Sequence, residues 1–232
     1  MSTVSKQLVD NYAGYYHGES RWRAIGARDK AANIIKLCSG IPHETILDIG
    51  AGEGAVLSEL RDFGKELHAI ELSPSGAEAI QQRNIPGLKS VQVFDGYKIP
   101  FPDKSFNLAY LSHVIEHVEH PRALLYEAKR VAEYVFVEVP LEDTLTRRKD
   151  YVATSVGHIN RYSPNSIRWL LQSCDLRVVK QIVTNPSWGA YKFKTGMKAL
   201  PRYAMKEGLL RLLPSIATRI WSYHSALLTA TR

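Results

Sequence analysis

A chain of 232 residues, with 45% hydrophobic and 23% charged side chains, has the composition of an ordinary globular protein with room for one sizeable α/β core. No stretch approaches about 18 uninterrupted apolar residues, and no charged segment followed by an apolar run opens the sequence. Neither a membrane span nor export is therefore indicated, and a cytoplasmic location is expected. The two cysteines, Cys38 and Cys174, lie far apart, which argues against a disulfide framework or a cysteine-built zinc site.

The net charge of +7 is unevenly distributed along the chain. Residues 1–187 contain 22 basic and 22 acidic side chains, whereas residues 188–232 contain eight basic side chains and one acid, Glu207. The C-terminal segment therefore carries the whole excess of positive charge. Such a segment suits an anionic surface, and it is equally compatible with a solvated helix face.

The spacing of apolar residues predicts two helices and then an alternation of strands and helices. The opening helices are Val4–Tyr16 and Trp22–Leu37. The predicted strands are Thr45–Ile49, Glu66–Glu71, Ser90–Phe94, Phe106–Leu111, Tyr134–Val139 and Arg177–Val183. The predicted helices between them are Ala55–Phe63, Pro74–Arg83, a segment through His117, Pro121–Val131 and Pro164–Ser173. This alternation predicts an α/β fold with a doubly wound, mostly parallel sheet and helices on both faces.

Three glycines follow the first predicted strand at alternate positions, Gly50, Gly52 and Gly54. Glycines so spaced let the backbone approach a ligand and leave the first N–H groups of the next helix free to bind it. The turn also fits the dinucleotide fingerprint, in which Glu71, 21 residues beyond Gly50, stands where a ribose-binding acid is found.

The charges around this loop distinguish between two ligands that it could bind, NAD and S-adenosylmethionine. Asp48 and Glu53 place carboxylates before and within the loop. These carboxylates repel a pyrophosphate and suit a ligand with positive sulfonium and ammonium groups. S-adenosylmethionine is therefore favoured over NAD.

Five segments occur in one order along the chain: Leu47–Gly54, Ala69–Ser73, Phe94–Gly96, Ile99–Asn107 and His113–Val118. With these residues the chain resembles the class I S-adenosylmethionine-dependent methyltransferases, especially the type 11 group. The resemblance implies a Rossmann-like, seven-stranded methyltransferase core at residues 41–186. An N-terminal helical cap at residues 1–40 and a basic helical extension at residues 187–232 are expected to flank this core.

Residues that end parallel strands are expected to line one crevice. By its position Glu71 can accept hydrogen bonds from both ribose hydroxyls, and Asp95 resembles the acid of the family that accepts from the adenine amino group. The predicted cofactor-binding residues are Asp48, Gly50, Gly52, Gly54, Glu71, Leu72, Asp95, Gly96 and Leu111. The resemblance also makes Tyr15, Tyr16 and Trp22 candidates for a lid.

The segment His113–His117 supplies the catalytic candidates. Its H-x-x-E-H spacing also occurs in zinc proteases, but it follows a predicted strand of a nucleotide-type sheet, and the glycine loop would have no role in a protease. His113 lies where the transferred methyl group is expected, so it is predicted as the general base. His117 and His158 complete the set of predicted catalytic residues.

A divalent metal at this segment is an open alternative. The segment resembles the E-x-x-E-H stretch of RNA 2′-O-methyltransferases and ubiquinone-pathway O-methyltransferases, in which Glu116 and His117 match while His113 replaces the first glutamate. His158 could stand for a further histidine ligand of the RNA group. The missing carboxylate makes the site poorer for Mg²⁺, so the leading interpretation has no metal and gives Glu116 and His117 a positioning role.

The basic extension is predicted to form two helices, Met197–Leu213 and Ser215–Thr229. Five residues approximate one apolar stripe along them: Leu209, Leu213, Ile216, Ile220 and Leu227. This stripe is expected to dock on the domain or on a second copy in a homodimer. Contact of the basic face with an anionic membrane surface or with RNA is the less favoured alternative.

Together these features predict a methyltransferase that moves a methyl group from S-adenosylmethionine, in line, to an oxygen or nitrogen of a small-molecule acceptor. One alternative is a metal-assisted RNA 2′-O-methyltransferase. Another, of a different class, is a non-catalytic cofactor-binding partner subunit. The sequence carries no readable signature of the acceptor.

Overall fold

The computed structural model describes residues 21–147 and 157–231, so the predicted helix Val4–Tyr16, with Tyr15 and Tyr16, lies outside the described residues. The strands are β1 (Thr45–Ile49), β2 (Glu66–Glu71), β3 (Leu88–Val93), β4 (Phe106–Ser112), β5 (Ala132–Pro140), β6 (Arg177–Thr184) and β7 (His224–Ala230). The α-helices are α1 (Arg21–Cys38), α2 (Ala55–Glu59), α3 (Pro74–Gln82), α4 (Pro121–Val131), α5 (Pro164–Gln172), α6 (Trp188–Thr195), α7 (Leu200–Leu212) and α8 (Pro214–Ile220), and a short 3₁₀ helix spans Gly196–Ala199.

The seven strands of the described residues form one sheet in the order β3-β2-β1-β4-β5-β7-β6. Strands β1 to β5 pair in parallel, whereas β7 is antiparallel to both β5 and β6. The chain leaves β1 toward β2 and β3 and then returns to the other side of β1 with β4, so the strand order reverses between β1 and β4. Crevices at such switch points bind ligands in open α/β sheets. The predicted doubly wound, mostly parallel sheet is confirmed.

Each face of the sheet has its own hydrophobic cluster, as β4 shows. Ala109 and Leu111 lie in one cluster, while Leu108 and Tyr110 lie in the other, and all four are fully buried. Successive side chains of a strand point to opposite faces, so a strand covered on both faces reads as a continuous apolar run. This burial explains why the apolar runs in the sequence located the central strands well.

Helix α1 packs into the core of the sheet. Ile34 and Leu37 of α1 are buried in the same cluster as Ile46 of β1. Trp22, near the start of the helix, stacks on Phe193 of α6 with a ring-centroid distance of 5.9 Å. The predicted boundary at residue 40 therefore does not separate α1 from the core.

The predicted helix Ser215–Thr229 is wrong beyond Ile220, because the chain continues as β7 in the interior of the sheet. Ala226 and Leu228 of β7 lie in one face cluster and Leu227 lies in the other, so the strand is buried on both sides. A short apolar run of this kind cannot be told from a buried helix by periodicity alone. Residues 187–232 therefore do not form a purely helical extension, and Leu227 does not belong to a surface stripe.

The helix predicted to follow β4 is also wrong, because residues 113–117 form a turn. His113 has a left-handed backbone with φ +59°. The carbonyl oxygen of Glu116 accepts hydrogen bonds from the N–H groups of Ile159 and Asn160, both at 2.9 Å. In an α-helix this carbonyl would instead accept a hydrogen bond from the N–H group four residues later in the chain. The zinc-protease interpretation requires two histidines on one face of a helix, so the absence of a helix at residues 113–117 excludes it.

The other predicted elements within the described residues are observed, with Thr45–Ile49, Glu66–Glu71 and Pro121–Val131 at the predicted ends and the rest shifted by a few residues. The largest difference is at α2, which ends at Glu59 and not at Phe63, because the following residues form turns in which the N–H of Phe63 bonds the carbonyl of Leu60 three residues earlier. Among the described helices, none combines the length and the apolar character needed to cross a membrane.

Candidate active site

The loop after β1 holds its three glycines in left-handed backbone, with φ +76° at Gly50, +59° at Gly52 and +75° at Gly54. Other residues rarely adopt this conformation. A Cβ atom at Gly50 would also lie 2.8 Å from Cγ2 of Val114, which is closer than real Cβ contacts. The backbone of this loop therefore requires glycine, as the alternating glycines predicted.

Glu71 ends β2 beside this loop and is 4% exposed. Its Oε2 accepts a hydrogen bond from the N–H of Gly52 at 2.8 Å, and its Oε1 accepts one from the N–H of Ser73 at 3.1 Å. Burial raises the pKa of Glu71, and the backbone hydrogen bonds act against that rise. A carboxylate can accept about four hydrogen bonds, so Glu71 retains acceptor capacity for the hydroxyls of a ligand.

Asp48 lies within β1 next to β4 and is buried. Its Oδ2 accepts a hydrogen bond from the hydroxyl of Tyr110. Burial raises the pKa of Asp48 to about 8, against the effect of this hydrogen bond. A positive group of a ligand placed here would favour the ionised carboxylate.

Glu53, one of the two carboxylates predicted to suit a positive ligand, is paired within the protein instead. Its buried carboxylate is paired with Nη2 of Arg23 at 2.8 Å and with Nη2 of Arg83 at 3.0 Å. Its charge is therefore compensated within the protein. Of the two carboxylates that favour S-adenosylmethionine over NAD, only Asp48 is therefore able to meet a positive ligand group.

The remaining predicted cofactor residues lie at the same end of the sheet, with different surroundings. Leu72 directly follows Glu71, and Gly96 is buried with φ +89°. Asp95 is exposed, and its Oδ1 accepts the N–H groups of Tyr97 at 2.9 Å and Lys98 at 2.7 Å in a local turn. The side chain of Leu111 is fully buried in the core, so only its backbone can meet a ligand.

His113 lies after β4 between two fully buried carboxylates. Its Nδ1 is 3.3 Å from Oε1 of Glu116, and its Nε2 is 3.9 Å from Oε1 of Glu138. His224 of β7 approaches the same oxygen of Glu138 at 3.4 Å, and its ring meets that of His113 edge to face. Burial lowers the pKa of His113 well below its usual value, and burial raises the pKa of Glu116 to about 7.

The structure also brings together Glu116, His117 and His158, the three residues of the metal alternative. One potential ligand atom from each lies within 4.8 Å of the other two. Nδ1 of His158 is 2.8 Å from Oε2 of Glu142, and Nδ1 of His117 is 3.2 Å from the carbonyl oxygen of Gly157. Burial lowers the pKa of His117 to about 4, so its ring is neutral near neutral pH.

Three residues of this region were missed by the sequence prediction. Lys30 of α1 is partly buried, its pKa is lowered by burial, and it acts electrostatically on Glu138, Glu116 and Asp48. Glu138 could have been found, because it is the one acid within the buried apolar part of β5, Val135 to Val139. His224 had no usable signal, since its segment was interpreted as a helix.

These residues fit a bound S-adenosylmethionine. The left-handed glycines let the backbone of the loop approach a ligand, and the buried carboxylate of Glu71 beside the loop can still accept hydrogen bonds from hydroxyl groups. Asp48 provides a carboxyl group that a positive ligand would ionise. Cofactor contacts of the individual residues remain predictions.

Comparison with known proteins agrees with this geometry. A family model described as "Methyltransferase domain" matches residues 22–181. The malonyl-[acyl-carrier protein] O-methyltransferase of Serratia marcescens is 28% identical over 129 residues, which cover 56% of this chain and 50% of that protein. The demethylmenaquinone methyltransferase of Renibacterium salmoninarum is 23% identical over 211 residues, which cover 84% of each chain. The chain thus spans half the length of the first of these relatives.

The fold is shared with solved structures. A chain of the complex between the Haloferax volcanii Trm112 methyltransferase activator and a methyltransferase superposes with a TM-score of 0.65 at 17% identity, covering 98% of this chain and 97% of that one. Solved structures that share this fold include an S-adenosylmethionine-dependent methyltransferase. With the family model matching more than half of its length, the chain belongs to the methyltransferase-domain family of S-adenosylmethionine-dependent, class I methyltransferases.

Proposed function

We propose that this methyltransferase acts on an oxygen or nitrogen atom of a small-molecule acceptor, and that His113 removes the proton of that atom. The observation that carries the proposal is the position of His113. It follows β4 at the carboxyl end of the sheet, in a strained left-handed backbone of the kind found at functional sites. Its side chain lies between Glu116 and Glu138.

The surroundings of His113 suit a proton acceptor. Because burial keeps its pKa low, the ring is neutral and has a lone pair to offer at neutral pH. Its Nε2 has no hydrogen-bond partner among the described residues. Once protonated, the ring would be stabilised by the two adjacent carboxylates, which favour its charged form. General base catalysis of this kind contributes about 10²–10⁴ in rate.

S-adenosylmethionine supplies a methyl group activated by a positive sulfonium. The protein contributes binding and orientation, with the glycine loop and Glu71 as the proposed contacts of the nucleoside part. Asp48 is the proposed carboxyl group near the positive part of the cofactor. Holding the acceptor atom close to the methyl group and in line with the bond to sulfur is expected to provide most of the rate.

Relatives support an acceptor other than nucleic acid without fixing its identity. The names of the two relatives refer to a malonyl-[acyl-carrier protein] O-methyltransferase and to a demethylmenaquinone methyltransferase. The name of the first relative, an O-methyltransferase, supports transfer to oxygen. Both names refer to acceptors other than nucleic acid, which supports a small-molecule acceptor over RNA.

The proposal is tested by incubating the purified chain with methyl-labelled S-adenosylmethionine and separate panels of carboxylic acids, phenols and amines. We expect label in an O-methyl or N-methyl product of one panel. His113→Asn should then lower kcat by about 10²–10⁴ without changing the cofactor dissociation constant, because asparagine tolerates the left-handed backbone but is not a base. His120→Asn, an exposed histidine outside the crevice, is the matched control.

Three outcomes would overturn the proposal. Label found only on carbon would exclude an oxygen or nitrogen acceptor. Full kcat in His113→Asn would exclude this histidine as the base. Tight cofactor binding without turnover on any acceptor class would support a non-catalytic partner subunit.

A further inference from the structure

We propose that residues 192–202, named here the basic corner, dock the protein on an anionic lipid membrane. The basic corner comprises the end of α6, the 3₁₀ helix and the first residues of α7. Its cations attract the negative headgroups, and its exposed apolar side chains enter the boundary between headgroups and acyl chains. Neither the glycine loop nor the proposed base His113 takes part in this contact.

The charge of the basic corner is of one sign. No acidic residue occurs in the sequence between Asp175 and Glu207, and every cation of the corner is exposed. None of these cations forms an ion pair within the part of the chain that the structure describes. Elsewhere an exposed cation is paired, as Lys65 is with Glu44. The corner therefore presents uncompensated positive charge, carried by Lys192, Lys194, Lys198 and Arg202.

Apolar side chains are exposed between these cations. Phe193 is 47% exposed, Met197 62% and Leu200 46%. Eight residues span at most about 25 Å even when fully extended, so the three lie within one small region of the surface. Cations and exposed apolar side chains in one segment are typical of segments that lie in a membrane interface. The composition of the corner thus matches the two chemical layers of an anionic bilayer surface.

The basic corner is held in place by the rest of the domain. Ala190 and Ala199, on either side of its first half, are buried. The ring of Trp22 in α1 stacks on Phe193, and Nζ of Lys194 lies 4.3 Å from the centroid of the Trp22 ring. Because these contacts already order the segment, little conformational entropy is lost when it binds a surface.

A membrane suits this surface better than nucleic acid or a second copy does. Phe193, the only aromatic residue in the sequence of the corner, already uses one face of its ring on Trp22, so a platform for base stacking is lacking. Phosphate binding makes no use of Met197 and Leu200, whereas both gain by leaving water for acyl chains. In a two-fold dimer the cations of the corner would face their equivalents and repel them.

The test is co-sedimentation of the full chain with lipid vesicles at increasing lipid concentration. One set of vesicles contains equal parts of phosphatidylglycerol and phosphatidylcholine, and the other contains phosphatidylcholine alone. We expect saturable binding to the anionic vesicles in low salt and much weaker binding to the neutral ones. High salt should weaken the binding, because it screens the attraction between the cations and the headgroups. Neither cofactor nor acceptor is added, so the result does not depend on the proposed function.

Two variants separate the contribution of charge from that of apolar contact. The triple variant Lys192→Gln, Lys198→Gln and Arg202→Gln should weaken binding to anionic vesicles at least about 50-fold, since each cation near such a surface contributes about fivefold. The double variant Met197→Gln and Leu200→Gln should weaken it about tenfold and keep the salt dependence, because only apolar contact is lost.

The matched control removes three exposed cations elsewhere, in the triple variant Lys89→Gln, Lys98→Gln and Arg122→Gln. Its net charge equals that of the first triple variant. Lys89 belongs to β3, at the opposite edge of the sheet from β6, the strand that precedes α6. The control should bind anionic vesicles nearly as the wild type does. Circular dichroism shows whether each variant is folded.

Three results would overturn the proposal. The first is the absence of saturable binding of the wild-type chain to anionic vesicles in low salt. The second is equal affinity of the folded triple variant of the corner and of its control, which would mean that this surface is not the one that binds. The third is tighter binding to polyuridylate than to the vesicles, which would assign the surface to nucleic acid.

Discussion

The carboxylate of Glu71 accepts a hydrogen bond from the backbone N–H of Gly52, with 2.8 Å between the nitrogen and Oε2. This bond joins the end of β2 to the glycine loop after β1. Glu71 therefore holds the shape of the loop, and it is also the proposed acceptor for the ribose hydroxyls. Its substitution should affect cofactor binding through both effects.

We expect Glu71→Ala to weaken binding of S-adenosylmethionine by about 1.5–3 kcal/mol, because charged hydrogen bonds to the ribose and the support of the loop are both lost. Glu71→Gln keeps one acceptor oxygen and should show a smaller loss. Calorimetric titration measures both. Glu66→Gln, at the exposed opposite end of β2, is the control, and an unchanged dissociation constant in Glu71→Ala would remove this residue from the site.

Gly50→Ala should destabilise the fold by about 1–3 kcal/mol and weaken cofactor binding, because φ is +76° and the new Cβ would meet Val114. Denaturant unfolding measures the first effect. Gly208→Ala in α7, where a new Cβ would meet no atom within 4 Å beyond the backbone of its own helix, should instead stabilise the chain by about 0.5–1 kcal/mol. If both variants gave the same change, the loop would not require glycine.

Asp48 should make stability depend on pH in a defined direction. Its folded pKa of about 8 lies above the value of about 3.9 for an unfolded chain, so the folded state holds this proton between the two values. The stabilising contribution of the protonated form is complete below the unfolded pKa and is lost as the pH rises through the folded pKa. The loss is at most about 1.4 kcal/mol per pH unit.

Asp48→Asn isolates this contribution, because the amide stays neutral and can still accept from Tyr110. Denaturant unfolding between about pH 5 and 8 should show a less negative slope of unfolding free energy against pH in the variant than in the wild type. Parallel curves for the two proteins would mean that Asp48 titrates normally.

The C-terminal helices expose apolar side chains that a second copy could cover. Leu212 is 80% exposed, Leu213 50% and Ile216 47%. We expect the wild type to form a homodimer through this surface. The double variant Leu212→Asp and Ile216→Asp should be monomeric, because burying a carboxylate in an apolar interface is costly. Size-exclusion chromatography with light scattering measures the mass.

The control for this surface is Trp169→Gln, which removes an exposed apolar side chain of α5 and should leave the dimer intact. A wild-type chain that is monomeric at high concentration would contradict the expectation. A dimer that also persists in the double aspartate variant would place the interface elsewhere.

The sequence predicted correctly those features that a few neighbouring residues determine. The glycine loop could be predicted from the sequence because the left-handed backbone at Gly50, Gly52 and Gly54 favours glycine at each of these positions. The strands β1 and β4 could be predicted because burial on both faces imposes a mostly apolar run. These local restrictions, in this order, were sufficient to identify the α/β fold and the methyltransferase family.

The sequence was misleading where the partner of a segment decides its structure. Residues 215–229 contain apolar residues at spacings that suit a helix, yet His224–Ala230 gains more by pairing with β5 and β6 as a central strand. The segment after β4 has the spacing of a zinc-binding helix, yet the carbonyl of Glu116 bonds to N–H groups of residues 159 and 160. Neither pairing can be derived from the residues within the segment.

The sequence by itself therefore determined the class of fold, the family and the loop expected to hold the cofactor. Only the tertiary structure decided which ionisable groups meet near the proposed base His113. His224 reaches Glu138 because β7 inserts antiparallel beside β5, and His158 approaches Glu116 across more than 40 residues of sequence. The physical reason is that backbone conformation and burial pattern are encoded locally. Contacts between ionisable side chains depend on how distant segments pair.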